Sequence, residues 1–167
     1  MNAISPRPAL AGVLAAIDAA TRTPLAGREA RVADAIAETV ADPMLLAGLE
    51  CPCAEKSYIR HLLHAGADYA VVALVWRAGQ MSPVHAHKSW CAFGVHRGIL
   101  TEHFYSPGAP PRLQAAQLRF PGDISHGPAD PDLIHRIANC CTETAISIHA
   151  YGTQFERFAE DLNLILA

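Results

Sequence analysis

Two histidines stand one residue apart in His85-Ala86-His87. In a β-strand, residues i and i+2 point to the same face, so two imidazoles from one strand can grip a single metal ion. Taken alone, the pair reads as two surface histidines. A third histidine, His135, lies in another strand-like segment, with Asn139 four residues on. A closed or nearly closed sheet can bring such strands together around its interior.

Two further segments place polar groups on one strand face. In Ser147-Ile148-His149-Ala150-Tyr151, the period of two puts Ser147, His149 and Tyr151 together, opposite Ile146, Ile148 and Ala150. Burying that polar row is costly unless its members hydrogen-bond one another, and a Ser–His–Tyr chain ending in a phenol can position a proton. The same row also fits the wet face of a surface strand. In Tyr58-Ile59-Arg60 the arginine offers a planar fork that matches a carboxylate, or a partner for a surface ion pair. The remaining histidines, His61, His64, His96, His103 and His126, belong to no such pattern and read as exposed or structural.

The elements that position these residues are of two kinds. Residues 1 to about 50 read as helical: Leu10, Val13, Leu14 and Ile17 form one apolar stripe, and Val32, Ile36 and Val40 form another. Asp42-Pro43 ends the second helix, and a short helical stretch follows through Leu49. From about residue 56 the chain becomes a series of short strands rich in Val, Ile, Leu and aromatics. They are expected at Tyr58–Leu63, Tyr69–Trp76, Val84–His87, Trp90–His96, Ile99–Tyr105, Leu113–Phe120, Ile134–Ala138 and Ala145–Tyr151. Turns fall at Ala78-Gly79, Arg97-Gly98, Ser106-Pro107-Gly108 and Pro121-Gly122. This spacing predicts a sandwich or small barrel over residues 56–152. Phe155, Phe158, Leu162 and Ile165 have helical spacing and predict a closing helix over residues 153–167.

The 167 residues fit a single domain, 51% hydrophobic and 17% charged, which excludes global disorder. No apolar run is long enough to span a membrane. A net charge of −3 and the lack of a basic stripe or helix-turn-helix argue against nucleic acid as a partner. Met1 to Pro8 carries no secretory signal pattern. The five cysteines, Cys51, Cys53, Cys91, Cys140 and Cys141, are odd in number and closely paired, which suits reduced thiols in a cytoplasm. Cys51-Pro52-Cys53 is not a zinc-type C-x-x-C.

The run Gly79-x5-His85-x-His87-x3-Cys91-x6-Gly98 resembles the first cupin motif, with cysteine in the place of a glutamate ligand. His135-x3-Asn139 resembles the second motif, although Asp132-Leu133-Ile134 replaces its usual Pro-x-Gly. A cupin implies a mainly β jelly-roll barrel, here with an N-terminal helical segment and a short C-terminal helix. Three neutral imidazoles without the glutamate leave a cationic site that suits Fe²⁺ and also Zn²⁺.

Over Tyr58 to Tyr151 the chain is similar to the thiol dioxygenases of the cysteine dioxygenase family, bacterial type. That resemblance implies Fe(II) on His85, His87 and His135, and a substrate carboxylate on Arg60 with Tyr58 beside it. It also implies Ser147, His149 and Tyr151 as the catalytic row, a small thiol carboxylate and O₂ as substrates, and a sulfinate as product. Arginine at position 60 points to L-cysteine, since the 3-mercaptopropionate branch carries glutamine there. Lys88-Ser89-Trp90 and Tyr151-Gly152 resemble bacterial relatives, some of which take 3-mercaptopropionate or other thiol acids. Cys91 resembles the cysteine that forms a thioether with the row's tyrosine, Tyr151, but follows the second histidine by one residue fewer. A monomer or small homo-oligomer is expected. The competing readings are a ligand-binding cupin without activity and a zinc or manganese cupin catalysing isomerisation or hydrolysis.

Overall fold

The computed structural model describes residues 8–166. Residues 1–7 and 167 lie outside the described residues; they fall within the helical reading of 1–50, the reading of Met1 to Pro8 and the closing helix of 153–167. Two helices come first, α1 (Pro8–Thr21) and α2 (Arg28–Ala37). Nine strands follow: β1 (Ile59–Ala65), β2 (Ala70–Trp76), β3 (His85–His87), β4 (Cys91–Arg97), β5 (Leu100–Ser106), β6 (Arg112–Arg119), β7 (Ile124–Gly127), β8 (Asp130–Ala138) and β9 (Ala145–Tyr151). The chain closes with a 3₁₀ turn, the one-turn helix α3 (Phe158–Asp161) and β10 (Asn163–Ile165).

The strands form two five-stranded sheets, β1-β2-β9-β4-β7 and β10-β3-β8-β5-β6, with antiparallel pairing throughout. Side chains from both sheets meet in the core between them: Leu74 and Trp76 of β2, Phe93 of β4, Leu100 of β5 and Ile137 of β8. The helices cover the other face of the first sheet. Ile17, Val32, Ile36 and Val40 pack there against Val71, Ala73, Ala92, Ile148 and Ala150. Each Ile or Val side chain so removed from water contributes about 1.5–3 kcal/mol. Because both faces of this sheet are covered, β2 is buried at every position, which explains its unbroken apolar sequence.

Two glycines carry close approaches or turns. A Cβ on Gly94 would lie 2.8 Å from Ile36 and about 3.1 Å from Val40, so α2 rests directly on bare backbone of β4. Gly98 turns β4 into β5 with φ 73°, the left-handed region that favours glycine.

Three segments differ from the sequence expectation. Pro43–Gly48 forms successive i to i+3 turns, with Leu45, Ala47 and Leu49 N–H groups donating to Asp42, Met44 and Leu46 carbonyls, in place of a helix. The tail is helical only over one turn. Phe155, Phe158 and Leu162 still pack on the core, but Asn163–Ile165 pairs with β3 and turns Ile165 outward. The edge of β3 has unpaired backbone groups, and the tail satisfies them as a strand. Strand β7 was too short and polar (Ile-Ser-His-Gly) to stand out by alternation.

Candidate metal centre

His85, His87 and His135 converge, with one ligand nitrogen from each lying within 4.8 Å of the others. β3 supplies the pair and β8 the third, and His85 is the cross-strand partner of His135. β8 runs from Asp130 as continuous strand, so backbone pairing carries His135 to the site without a Pro-x-Gly turn.

Each ring is oriented differently. His85 Nδ1 donates to the Pro83 carbonyl at 2.9 Å, which leaves Nε2 as a bare acceptor. His135 Nδ1 donates to Glu102 Oε1 at 2.9 Å and likewise frees Nε2. His87 Nδ1 is buried without a partner, while its Nε2 lies 3.0 Å from His135 Nε2. The two rings share a hydrogen bond there, and the same two nitrogens would turn to a metal when one is bound. Burial, followed by the neighbouring His135, lowers the pKa of His85 to about 4, and the same causes hold His87 well below the usual imidazole range. Neutral imidazoles are the metal-binding form. The donor set therefore fits a divalent transition metal.

The polar row of β9 faces the interior between the sheets, not solvent. Ser147, His149 and Tyr151 are 0%, 1% and 4% exposed, and Ile148 and Ala150 on the opposite face pack under the helices. Trp76 Nε1 donates to Ser147 Oγ at 2.9 Å, Ser147 Oγ lies 2.8 Å from His149 Nε2, and His149 Nδ1 lies 2.9 Å from Tyr151 Oη. Burial, then Arg60, holds His149 well below its usual pKa, so one ring nitrogen carries a proton and the other accepts. With the indole N–H occupying one Ser147 lone pair, the arrangement that gives the buried Ser147 proton a partner has Ser147 donate to Nε2 and His149 Nδ1–H donate to Tyr151. The phenol proton of Tyr151 then points to the chamber. Burial raises the Tyr151 pKa well above the usual phenol value, which keeps that proton in place.

Arg60 enters the same chamber from β1. Its Nη2 donates to Tyr58 Oη at 2.9 Å, and the guanidinium lies 5.1 Å from the Tyr58 ring centroid. Tyr58 in turn stacks on Trp76 at 4.3 Å. Among the described residues no carboxylate pairs with Arg60, and its Nε is buried without a hydrogen-bond partner. The surface ion pair that the sequence left open is not formed.

Cys91 and Tyr151 are cross-strand partners in β4 and β9 and share one face. Both line the chamber, and burial pushes the Cys91 thiol pKa upward. Asn139 does not reach the centre. Its amide donates to the Trp76 and Glu143 carbonyls at 2.9 and 2.8 Å, pinning the turn after β8.

The chamber among Arg60, Tyr58, His85 and Tyr151 holds about 10 Å³ of free space, and a wider, solvent-open pocket at Ser57, Met81 and Pro83 shares Tyr58, Arg60 and Ser82 as wall. A separate cavity of about 210 Å³ lies against His87, Cys91 and His135, walled by Phe93, Phe104 and Leu133.

Glu102 and Trp76 escaped the sequence reading. A signal for Glu102 did exist: it shares strand parity with Leu100 and Phe104, a lone carboxylate on an apolar face. Trp76 only ends an expected strand, and its bond to Ser147 shows its role in the row. All five cysteines are free, and no described helix is long and apolar enough to cross a membrane.

No protein-family model matches the chain. Its fold is similar to that of an uncharacterised protein with a double-stranded β-helix domain from Klebsiella pneumoniae, at TM-score 0.54 and 18% identity over 70% of this chain and 90% of that one. A cupin superfamily protein from Desulfitobacterium hafniense superposes at TM-score 0.50 with 12% identity, covering 62% and 84% of the two chains. A candidate mannose-6-phosphate isomerase from Ralstonia eutropha superposes at 0.51 with 18% identity, covering 64% and 94%. At such identities the likeness shows the fold alone. The architecture is a mainly β cupin jelly roll that carries a three-histidine group able to hold a metal ion.

Proposed function

We propose that this protein is an Fe(II)-dependent thiol dioxygenase acting on a small thiol carboxylate, with L-cysteine as the preferred substrate. The observation that carries this reading is Arg60: a guanidinium without a carboxylate partner, braced by Tyr58, at the three-histidine chamber beside Tyr151. The Ser–His–Tyr chain beside that cation favours this reading over a cupin that only binds metal or one that isomerises a sugar with zinc or manganese.

His85, His87 and His135 would hold the iron. Bound iron supplies the activation of dioxygen, and the net change is R–S⁻ + O₂ → R–SO₂⁻, sulfur losing four electrons and both oxygen atoms ending on it. The chain's own residues do the rest. Arg60 binds the carboxylate through its free N–H groups, while Tyr58 fixes the guanidinium plane. Tyr151 donates its phenol proton toward the reacting oxygen. Trp76, Ser147 and His149 hold that proton's direction. The buried walls around Ser147, His149 and Tyr151 exclude water, which strengthens the bonds of that chain.

Cys91 faces Tyr151, and a thioether between Sγ and the ring carbon beside the hydroxyl would form by breaking the S–H and ring C–H bonds, the two hydrogens reducing one O₂ to H₂O₂. Intact mass before and after turnover reads the loss of those two hydrogens directly. A cytoplasmic location and a monomeric or small homo-oligomeric state belong to the same proposal.

Oxygen uptake by iron-loaded protein is the test, with L-cysteine against 3-mercaptopropionate and sulfinate identified by mass. Faster uptake with cysteine supports the full reading. A preference for 3-mercaptopropionate keeps the reaction and reassigns the substrate. No uptake with any thiol acid, together with preferential zinc or manganese binding, moves the protein to the isomerase-like cupins.

A further inference from the structure

Glu102 is 1% exposed, and a carboxylate in such a place is costly unless its lone pairs are met. Its two oxygens are used differently. Oε2 accepts from Arg119 Nε and Nη2 at 2.9 and 2.7 Å. Oε1 accepts from Ser125 Oγ at 3.1 Å and from His135 Nδ1 at 2.9 Å. Arg119 of β6 already balances the charge through Oε2. Oε1 is thereby free to act as a fixed acceptor for His135, held in place by Ser125 from the opposite sheet.

The three histidines differ in this respect. His85 is steadied by a backbone carbonyl, His87 Nδ1 has no partner, and only His135 leans on a carboxylate. His135 also stands on a different strand from the other two, so its ring orientation is not inherited from the geometry of β3.

We infer that Glu102 is the positioning residue of the metal centre: through its bond to His135 Nδ1 it fixes the ring plane and the tautomer that presents Nε2 to the ion. This rests on the metal reading of the three histidines and is independent of which reaction the metal serves. Outer carboxylates of this kind commonly change metal affinity 10- to 100-fold when removed. The rival role is structural, an ion pair tying β5 to β6.

The test measures Fe²⁺ and Co²⁺ affinity by competition with a chelator, together with the visible spectrum of the Co²⁺ form, in wild type, Glu102→Gln, Arg119→Gln and His135→Ala. The expected result is about 10- to 100-fold weaker binding and a shifted Co²⁺ band in Glu102→Gln. Arg119→Gln, which breaks the buried ion pair but keeps the His135 bond, should lower Tm and leave affinity within about threefold. If Glu102→Gln does not fold, Glu102→Asp keeps the charge, withdraws the oxygen by one methylene and carries the same expectation. Affinity within threefold of wild type in a folded Glu102 variant, with binding lost in His135→Ala, overturns the positioning role and leaves the metal centre standing. Equal binding by wild type and His135→Ala overturns the centre itself, and the positioning role with it.

Discussion

Replacing Arg60 by Met keeps the apolar stem and removes the cation. Arginine has five N–H donors. One, on Nη2, is engaged with Tyr58, and Nε–H has no partner in the protein. A bound carboxylate can therefore accept two charge-assisted bonds, each worth about 1.5–3 kcal/mol where water is absent. The pocket walled by Arg60 is open to solvent, so the combined loss is discounted to about 2–4 kcal/mol. At about 1.4 kcal/mol per decade this predicts a KM for cysteine raised roughly 30- to 700-fold. Iron content should not change, because none of the three histidines is bonded to Arg60. Steady-state oxygen uptake reads the effect, with 2-aminoethanethiol as the matched thiol lacking a carboxylate. That control should change by less than about threefold. An equal loss with both thiols, or no loss with cysteine, would refute Arg60 as the carboxylate anchor.

Tyr151→Phe removes the phenol donor while keeping the ring that packs against Phe158; kcat should fall about 100-fold with little change in KM, and an unchanged kcat would take the phenol out of the reaction. His85 and His149 are buried as neutral rings, with pKa values below the unfolded value of 6.5, His85 at about 4. The unfolded chain takes up their protons first, so their contribution is complete above pH 6.5 and is lost as pH falls toward 4. His85 alone accounts for about 3 kcal/mol. Urea unfolding of metal-free protein between pH 8 and 4 checks this, and a flat profile counts against neutral burial. Gly94→Val drives methyl groups into Ile36 and Val40 and should destabilise by about 1–3 kcal/mol, seen as a lower Tm with metal affinity unchanged.

The sequence alone determined the local periodicities. The apolar stripes of α1 and α2, the alternation of β9 and the parity of Tyr58 with Arg60 follow from helix and strand geometry, which depends only on neighbours along the chain. The pairing of His85 with His87 was legible for the same reason. Which face of β9 turns inward was not. Alternation separates Ser147, His149 and Tyr151 from Ile148 and Ala150, but both rows are buried, because α1 and α2 cover what would otherwise be the wet side. Asn139, close to His135 in sequence, serves the turn after β8, a role that only its contacts with Trp76 and Glu143 reveal. The short tail strand was hidden because its conformation is dictated by the open edge of β3, not by its own propensity. Glu102 is the clearest case. Thirty-three positions separate it from His135, and only the pairing of β5 with β8 brings carboxylate and imidazole within hydrogen-bond reach. Spacing along a chain encodes which side chains share a face; which faces meet is decided by sheet order and by what covers each layer.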